Sequence, residues 1–123
     1  MNEQDIIFQH NKEMTVNGFQ KLSKRTLPNK NMEKDAANYA LGLTGESGEV
    51  ADEIKKWLFH GHRIDRMAIK NELGDVFHYL AGLSSILGFS LEDVAQANID
   101  KLNMRYPDGF NSEDSIKRVE KDT

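Results

Sequence analysis

The 123 residues suffice for one domain with a modest core, small enough that a second chain can complete it. A formal net charge of −4 and a pI near 5.5 create no overall basic field, which argues against nucleic acid as a partner. There is no cysteine, so neither a disulfide nor a thiolate zinc site can form. No apolar run reaches the roughly 18 residues of a membrane span, and the opening M-N-E-Q-D-I-I-F-Q-H lacks an apolar signal core, so a cytoplasmic protein without a membrane partner is expected.

Residues 3–25 carry Ile6, Ile7, His10, Met14, Phe19 and Leu22 at mixed helical spacing and predict a first helix. T-L-P-N-K-N follows as a loop, with Asn31 placed to cap a second helix over 32–59 that F-H-G-H ends, Gly61 serving as the stop. A third helix is expected over 65–87, closed by Gly88. S-L-E-D at 90–93 has the form of a capping box and opens a fourth helix over 90–106. Pro107, Asp108 and Gly109 end it, leaving 111–123 as a short tail with at most a terminal turn. No segment alternates with period two. The expectation is an all-α, four-helix-bundle domain over residues 1–110.

At about 100° per residue, Glu46, Glu49 and Glu53 share one face of the second helix. They border the apolar stripe of Tyr39, Leu43, Val50, Ile54 and Trp57, whereas Asp52 lies farther round, towards solvent. The third helix repeats the arrangement: Glu72, Asp75 and Tyr79 stand beside Ile69, Val76, Leu80, Leu83 and Leu87. Two helices packed through these stripes bring E-x-x-E against E-x-x-D. Carboxylates at a half-buried seam must be partly protonated, paired with basic side chains, or gathered around a cation, because desolvating each charge costs several kcal/mol. An all-oxygen set suits Mg²⁺, with Mn²⁺ as a substitute. The glycines Gly42, Gly45 and Gly48 add to the puzzle, since each costs a helix roughly 1 kcal/mol against alanine. Metal binding offers compensation for the charge crowding, and Gly45 and Gly48 leave room for another backbone or a substrate.

The fourth helix carries Asn98, Lys101 and Arg105 at i, i+3 and i+7, a cationic row suited to phosphate. Each feature has a plainer reading: a solvated acidic face tied by surface ion pairs, cationic side chains snorkelling over the core, and Trp57 and Tyr79 as core residues. His78 lies away from Glu72 on the helical wheel, which disfavours a di-iron E-x-x-H site. His60 and His62 flank Gly61 in a loop. G-L-T-G-E-S-G-E lacks the G-K-[ST] ending of a phosphate-binding loop.

Taken together, E-S-G-E at 46–49, E-L-G-D at 72–75 and N-I-D-K-L-N-M-R-Y-P at 98–107 resemble the MazG-like nucleotide pyrophosphohydrolases, over about residues 35–110. The resemblance implies an all-α enzyme that cleaves nucleoside triphosphates between the α and β phosphates. It assigns Glu46, Glu49, Glu72 and Asp75 to Mg²⁺, and Asn98, Lys101 and Arg105 to the phosphates. Gly45 stands where many relatives carry a further Glu, with Glu53 as a candidate substitute. It also implies a bundle completed by oligomerisation, as a homodimer or a tetramer of paired dimers.

The expected reaction is Mg²⁺-dependent hydrolysis of a nucleoside triphosphate, a deoxyribonucleotide by preference, to the monophosphate and pyrophosphate. Glu49 or Glu53 would take a proton from water, and Lys101 and Arg105 would stabilise the departing pyrophosphate. Trp57, Tyr79 and His60 are candidate substrate contacts, and Phe8 and Phe19 lie among the aromatic candidates for the base. Two alternatives remain: a hydrolase of the same fold acting on nucleoside diphosphates or another phosphorylated metabolite, and a non-enzymatic helical module.

Overall fold

A computed structural model gives the fold of residues 13–122 and the side chains up to Arg118. Among the described residues there are five α-helices: α1 (Val16–Ser23), α2 (Met32–Phe59), α3 (Arg66–Ile86), α4 (Leu91–Arg105) and α5 (Ser112–Asp122). A 3₁₀ turn, Lys24–Thr26, continues α1. No strand is present among them, and the one bridge, Pro107 to Gly109, belongs to a turn. The fold is all-α, as the patterning requires.

The first helix expected over 3–25 has its residues 3–12, with Ile6, Ile7, Phe8 and His10, outside the described residues. Its described part begins at Val16, where the Thr15 hydroxyl accepts the Gly18 N–H at 2.9 Å. The helices expected over 32–59, 65–87 and 90–106 are α2, α3 and α4. Asn31 caps α2 by accepting from the Lys34 N–H at 3.0 Å, and Asp65 caps α3 through the Ala68 N–H at 2.9 Å. α2 stops where Gly61 turns to φ 74°, and both His60 and His62 donate their N–H to the Lys56 carbonyl. Gly88 ends α3 at φ 83°.

The chain forms two compact units that part after Leu91. In the first, α2 and α3 form a helical hairpin and α1 lies against α3. Its buried centre holds Tyr39, Ala81, Gly82, Ser84 and Leu91. Phe19 of α1 stacks on Phe77 of α3, with ring centroids 4.5 Å apart. Gln20 ties the end of α3 to α1: its amide donates to Ser85 Oγ and to the Phe89 carbonyl, and its oxygen accepts the Leu91 N–H at 2.7 Å. Buried Asp35, in the first turn of α2, accepts the Lys30 N–H at 3.1 Å.

The hairpin is built on a reciprocal fit. The Tyr79 ring lies on Gly42, so that a Cβ there would fall 2.6 Å from its Cδ1 and Cζ. The Tyr39 ring lies on Gly82, where a Cβ would be closer still to the ring. The two rings meet edge to face at 5.2 Å. Advancing from Tyr39 to Gly42 along α2 retreats from Gly82 to Tyr79 along α3, which is an antiparallel register. His78 packs edge to face on Tyr79, and its two ring nitrogens meet the hydroxyls of Ser23 and Thr26. The Tyr39 hydroxyl donates to the Thr26 carbonyl at 3.4 Å.

The second unit contains α5 where only a tail was expected. Asn111 accounts for it: its side-chain oxygen accepts the Asp114 N–H at 2.7 Å, and its amide donates to the Asp114 carboxylate. Glu113 and Asp114 also place negative charge in the first turn. Before it, Gly109 adopts φ 90° and Tyr106 packs on Phe110.

Alanine at two glycines should separate packing from helix propensity. Gly82→Ala overfills the Tyr39 contact and is expected to cost about 1–3 kcal/mol in urea unfolding. Gly45→Ala has nothing within 4 Å of the new methyl and should gain about 0.5–1 kcal/mol.

Candidate metal centre

One helical turn beyond the Tyr79–Gly42 contact, the same register carries α2 to Glu46 and α3 back to Asp75. Glu46, Glu72 and Asp75 each present a carboxylate oxygen, and these oxygens all lie within 4.8 Å of one another. Glu46 and Glu72 are half-buried and Asp75 is exposed. Among the described residues none of the three is ion-paired with a lysine or arginine. On α2, Lys55 pairs with Asp52 at 3.5 Å, and Lys56 pairs with Asp52 at 3.2 Å and with Glu53 at 3.6 Å.

This convergence has an electrostatic signature. The hydrogen bond with the Glu46 side chain, partial burial and the negative charges of Glu46, Asp75 and Glu53 hold the Glu72 carboxyl above its ordinary range. By contrast, its hydrogen bond to Lys56 holds Asp52 below the usual carboxylate range. The neighbouring hydroxyls of Thr44 and Ser47 turn back onto the Ala40 and Leu43 carbonyls of their own helix. The clustered donors are therefore all carboxylate oxygens, a set that fits a hard divalent cation.

Glu49 lies on the same helix, exposed, and does not join the three converging carboxylates. Glu53 is half-buried beside Lys56, with its charge reaching Glu72. Tyr79 is engaged by Gly42, Tyr39 and His78, so its ring belongs to the packing of the hairpin. Trp57 is 40% exposed in the last turn of α2, and His60 is the exposed C-cap of that helix. Asn98, Lys101 and Arg105 follow one another along α4 in the second unit, the first two exposed and Arg105 half-buried. Phe8 lies outside the described residues. Two cavities of about 270 and 340 Å³ share Lys24 and Ser85 and contain none of the clustered acids.

Helical wheels did not reveal the glycine contacts that set this geometry. The signal was nevertheless present: Y-A-L-G at 39–42 recurs as Y-L-A-G at 79–82, each a tyrosine three residues before a glycine.

Fold and site define an all-helical protein with a carboxylate cluster suited to a divalent cation. Residues 34–110, more than half of the chain, match the MazG nucleotide pyrophosphohydrolase domain, and the chain belongs to this family. A segment of 69 residues is 39% identical to the Gene 37 protein of Mycobacterium phage L5, covering 53% of this chain and 60% of that protein. The match thus spans less than two thirds of that relative's length. No solved structure matches the chain. Among the described residues, no helix is long and apolar enough to cross a membrane.

The raised Glu72 carboxyl makes a signed prediction for the metal-free protein. The native state holds this proton more tightly than the unfolded chain, whose carboxyl has an ordinary value of 4.5. The associated stability is fully present below 4.5 and is lost as pH rises through the raised folded value. In EDTA, Glu72→Gln should therefore unfold at higher urea than wild type near neutral pH, with the advantage vanishing below 4.5. Added Mg²⁺ should stabilise the wild type and have little effect on the variant.

Proposed function

We propose that the protein hydrolyses a nucleoside triphosphate between its α and β phosphates, with a preference for a deoxyribonucleotide. The observation that carries this reading is the convergence of Glu46, Glu72 and Asp75, with no cationic partner among the described residues, inside the matched domain. These carboxylates would hold Mg²⁺, with Mn²⁺ as a substitute, and Glu49 would supply a further oxygen from the adjoining turn of α2. The bound ion would supply Lewis acidity towards the phosphate oxygens and water.

The remaining chemistry falls to side chains of the chain. Water attacks the α-phosphorus, the bond from that phosphorus to the bridging oxygen breaks, and pyrophosphate departs. Glu49 or Glu53 accepts the water's proton. Glu49 is the freer of the two, since Glu53 already faces Lys56 at 3.6 Å. Lys101 and Arg105 neutralise charge that builds on pyrophosphate, and Asn98 hydrogen-bonds a phosphate oxygen. Trp57 stacks on the base and His60 contacts its edge. The open face around the acids and the exposure of Leu41, Leu73 and Met104 support a working state with more than one copy, a homodimer or paired dimers.

A panel of ribo- and deoxyribonucleoside triphosphates should release pyrophosphate and monophosphate with Mg²⁺ and none with EDTA. Release of orthophosphate instead would reassign the protein to diphosphates or another phosphorylated metabolite. Glu49→Gln should lower turnover about 10²-fold or more with an unchanged far-UV circular dichroism spectrum. Full activity in that variant would remove Glu49 from the mechanism.

A further inference from the structure

We infer that the Gly42–Tyr79 contact is a positioning device for the metal centre, setting the approach of α2 and α3 that brings Glu46 to Glu72 and Asp75. The inference rests on the assignment of a divalent cation to these carboxylates. Its own warrant is geometric. Gly42 stands one turn before Glu46 on α2, and Tyr79 stands one turn after Asp75 on α3, so contact and cluster are adjacent rungs of one ladder.

The contact has little room to yield. A methyl on Gly42 would meet the body of the Tyr79 ring, at Cδ1 and Cζ both 2.6 Å away, rather than the end of a flexible chain. That ring cannot swing freely because Tyr39 and His78 each hold it edge to face at 5.2 Å. Tyr39 is itself seated on Gly82, and His78 is bonded to Ser23 and Thr26. The strain of an added methyl therefore passes to the separation or rotation of the two helices. Mg²⁺ and Mn²⁺ demand oxygen ligands at about 2.0–2.2 Å, and tolerances of about 0.2 Å decide whether a site forms. A shift of one helix by even a fraction of an ångström falls on the pairing of Glu46 with ligands from the other helix.

Gly45 provides the matched control. It lies on the same helix beside Glu46, but an added methyl there meets nothing within 4 Å. Gly42→Ala and Gly45→Ala thus make the same change of helix propensity, and only the first alters the spacing of the hairpin.

The test is Mn²⁺ binding to the full chain, followed by electron paramagnetic resonance, with helicity and urea unfolding measured in parallel. Wild type and Gly45→Ala should bind alike, and Gly42→Ala should bind at least tenfold more weakly while remaining helical. Adding Tyr79→Leu to Gly42→Ala makes room for the methyl and should recover most of the lost affinity, a rescue that general destabilisation does not give. Wild-type affinity in Gly42→Ala, an equal loss in Gly45→Ala, or no recovery in the double variant would each overturn the inference. If Gly42→Ala fails to fold, Tyr79→Leu alone serves, since it loosens the contact without overfilling it. Weakened Mn²⁺ binding is again expected, and unchanged binding overturns the positioning role. Absence of Mn²⁺ binding by the wild type would instead overturn the metal assignment itself, and this inference with it.

Discussion

Two tyrosines seated on two glycines control how closely α2 and α3 approach, and much of the first unit follows from that fit. An aromatic ring on a bare helical backbone gains dispersion contacts along its face that a Cβ would prevent. The fit is reciprocal, Tyr39 on Gly82 and Tyr79 on Gly42, so neither helix can slide without losing both contacts. α1 and the 3₁₀ turn after it reinforce it from outside: Tyr39 donates to the Thr26 carbonyl, His78 is hydrogen-bonded to Ser23 and Thr26, and Phe19 stacks on Phe77. The glycine cost of roughly 1 kcal/mol per helical position is offset at Gly42 and Gly82 by this packing. At Gly45, Gly48 and Gly74 nothing in the described residues fills the space.

The same register forces together groups that repel. Glu46, Glu72 and Asp75 gain nothing from proximity in the absence of a counter-charge, and Glu72 responds by holding its proton more tightly. Six residues beyond Glu46, the chain shows the ordinary resolution: Asp52 sits between Lys55 and Lys56 on the same helix. Such exposed pairs contribute little to stability. Their effect here is to leave the lysines of that turn occupied, so the clustered carboxylates remain open to a cation. A divalent ion bound there would return the stability lost in the cluster, because binding to the native state alone adds stability by mass action.

Most of the helical framework was legible because its signals are local. Asn31 caps the helix it precedes, while Gly61 and Gly88 adopt the positive φ that a stop requires. The approach of Glu46 to Glu72 and Asp75 was visible because helical period fixes which residues share a face, whereas Glu49, placed on that face too, does not join them. The contacts that set depth and register were harder to read, since they join positions about forty residues apart and depend on the absence of a side chain. His78 was read only by its angle on a helix; its partners, Ser23 and Thr26, come from another segment. Gln20 likewise looks like an ordinary surface residue until the end of α3 is brought to it. The helix after Gly109 was missed because its few apolar residues give a weak stripe, whereas its start depends on a local exchange between Asn111 and Asp114.

The placement of the cluster along the hairpin has its own logic. On one side of Glu46 and Asp75 lie the tyrosine–glycine contacts, where a ring of each helix rests on the bare backbone of the other. On the other, the connection from α2 to α3 is fixed by two N–H donors on the Lys56 carbonyl, the positive φ of Gly61 and the Asp65 cap. The acids therefore occupy a stretch of two continuous helices whose separation is set at one end and whose connection is set at the other. Carboxylates on loops would relax apart under their own repulsion, lowering the charge density that attracts a cation. Carboxylates on helices held at both ends cannot do so without breaking either the ring contacts or the caps. Rigid supports convert like-charge repulsion from a force that opens the site into a preference for the bound ion. The glycines in a strongly acidic helix thus have a structural role at Gly42, where the absence of a side chain lets the opposing helix come near enough for its acids to meet Glu46.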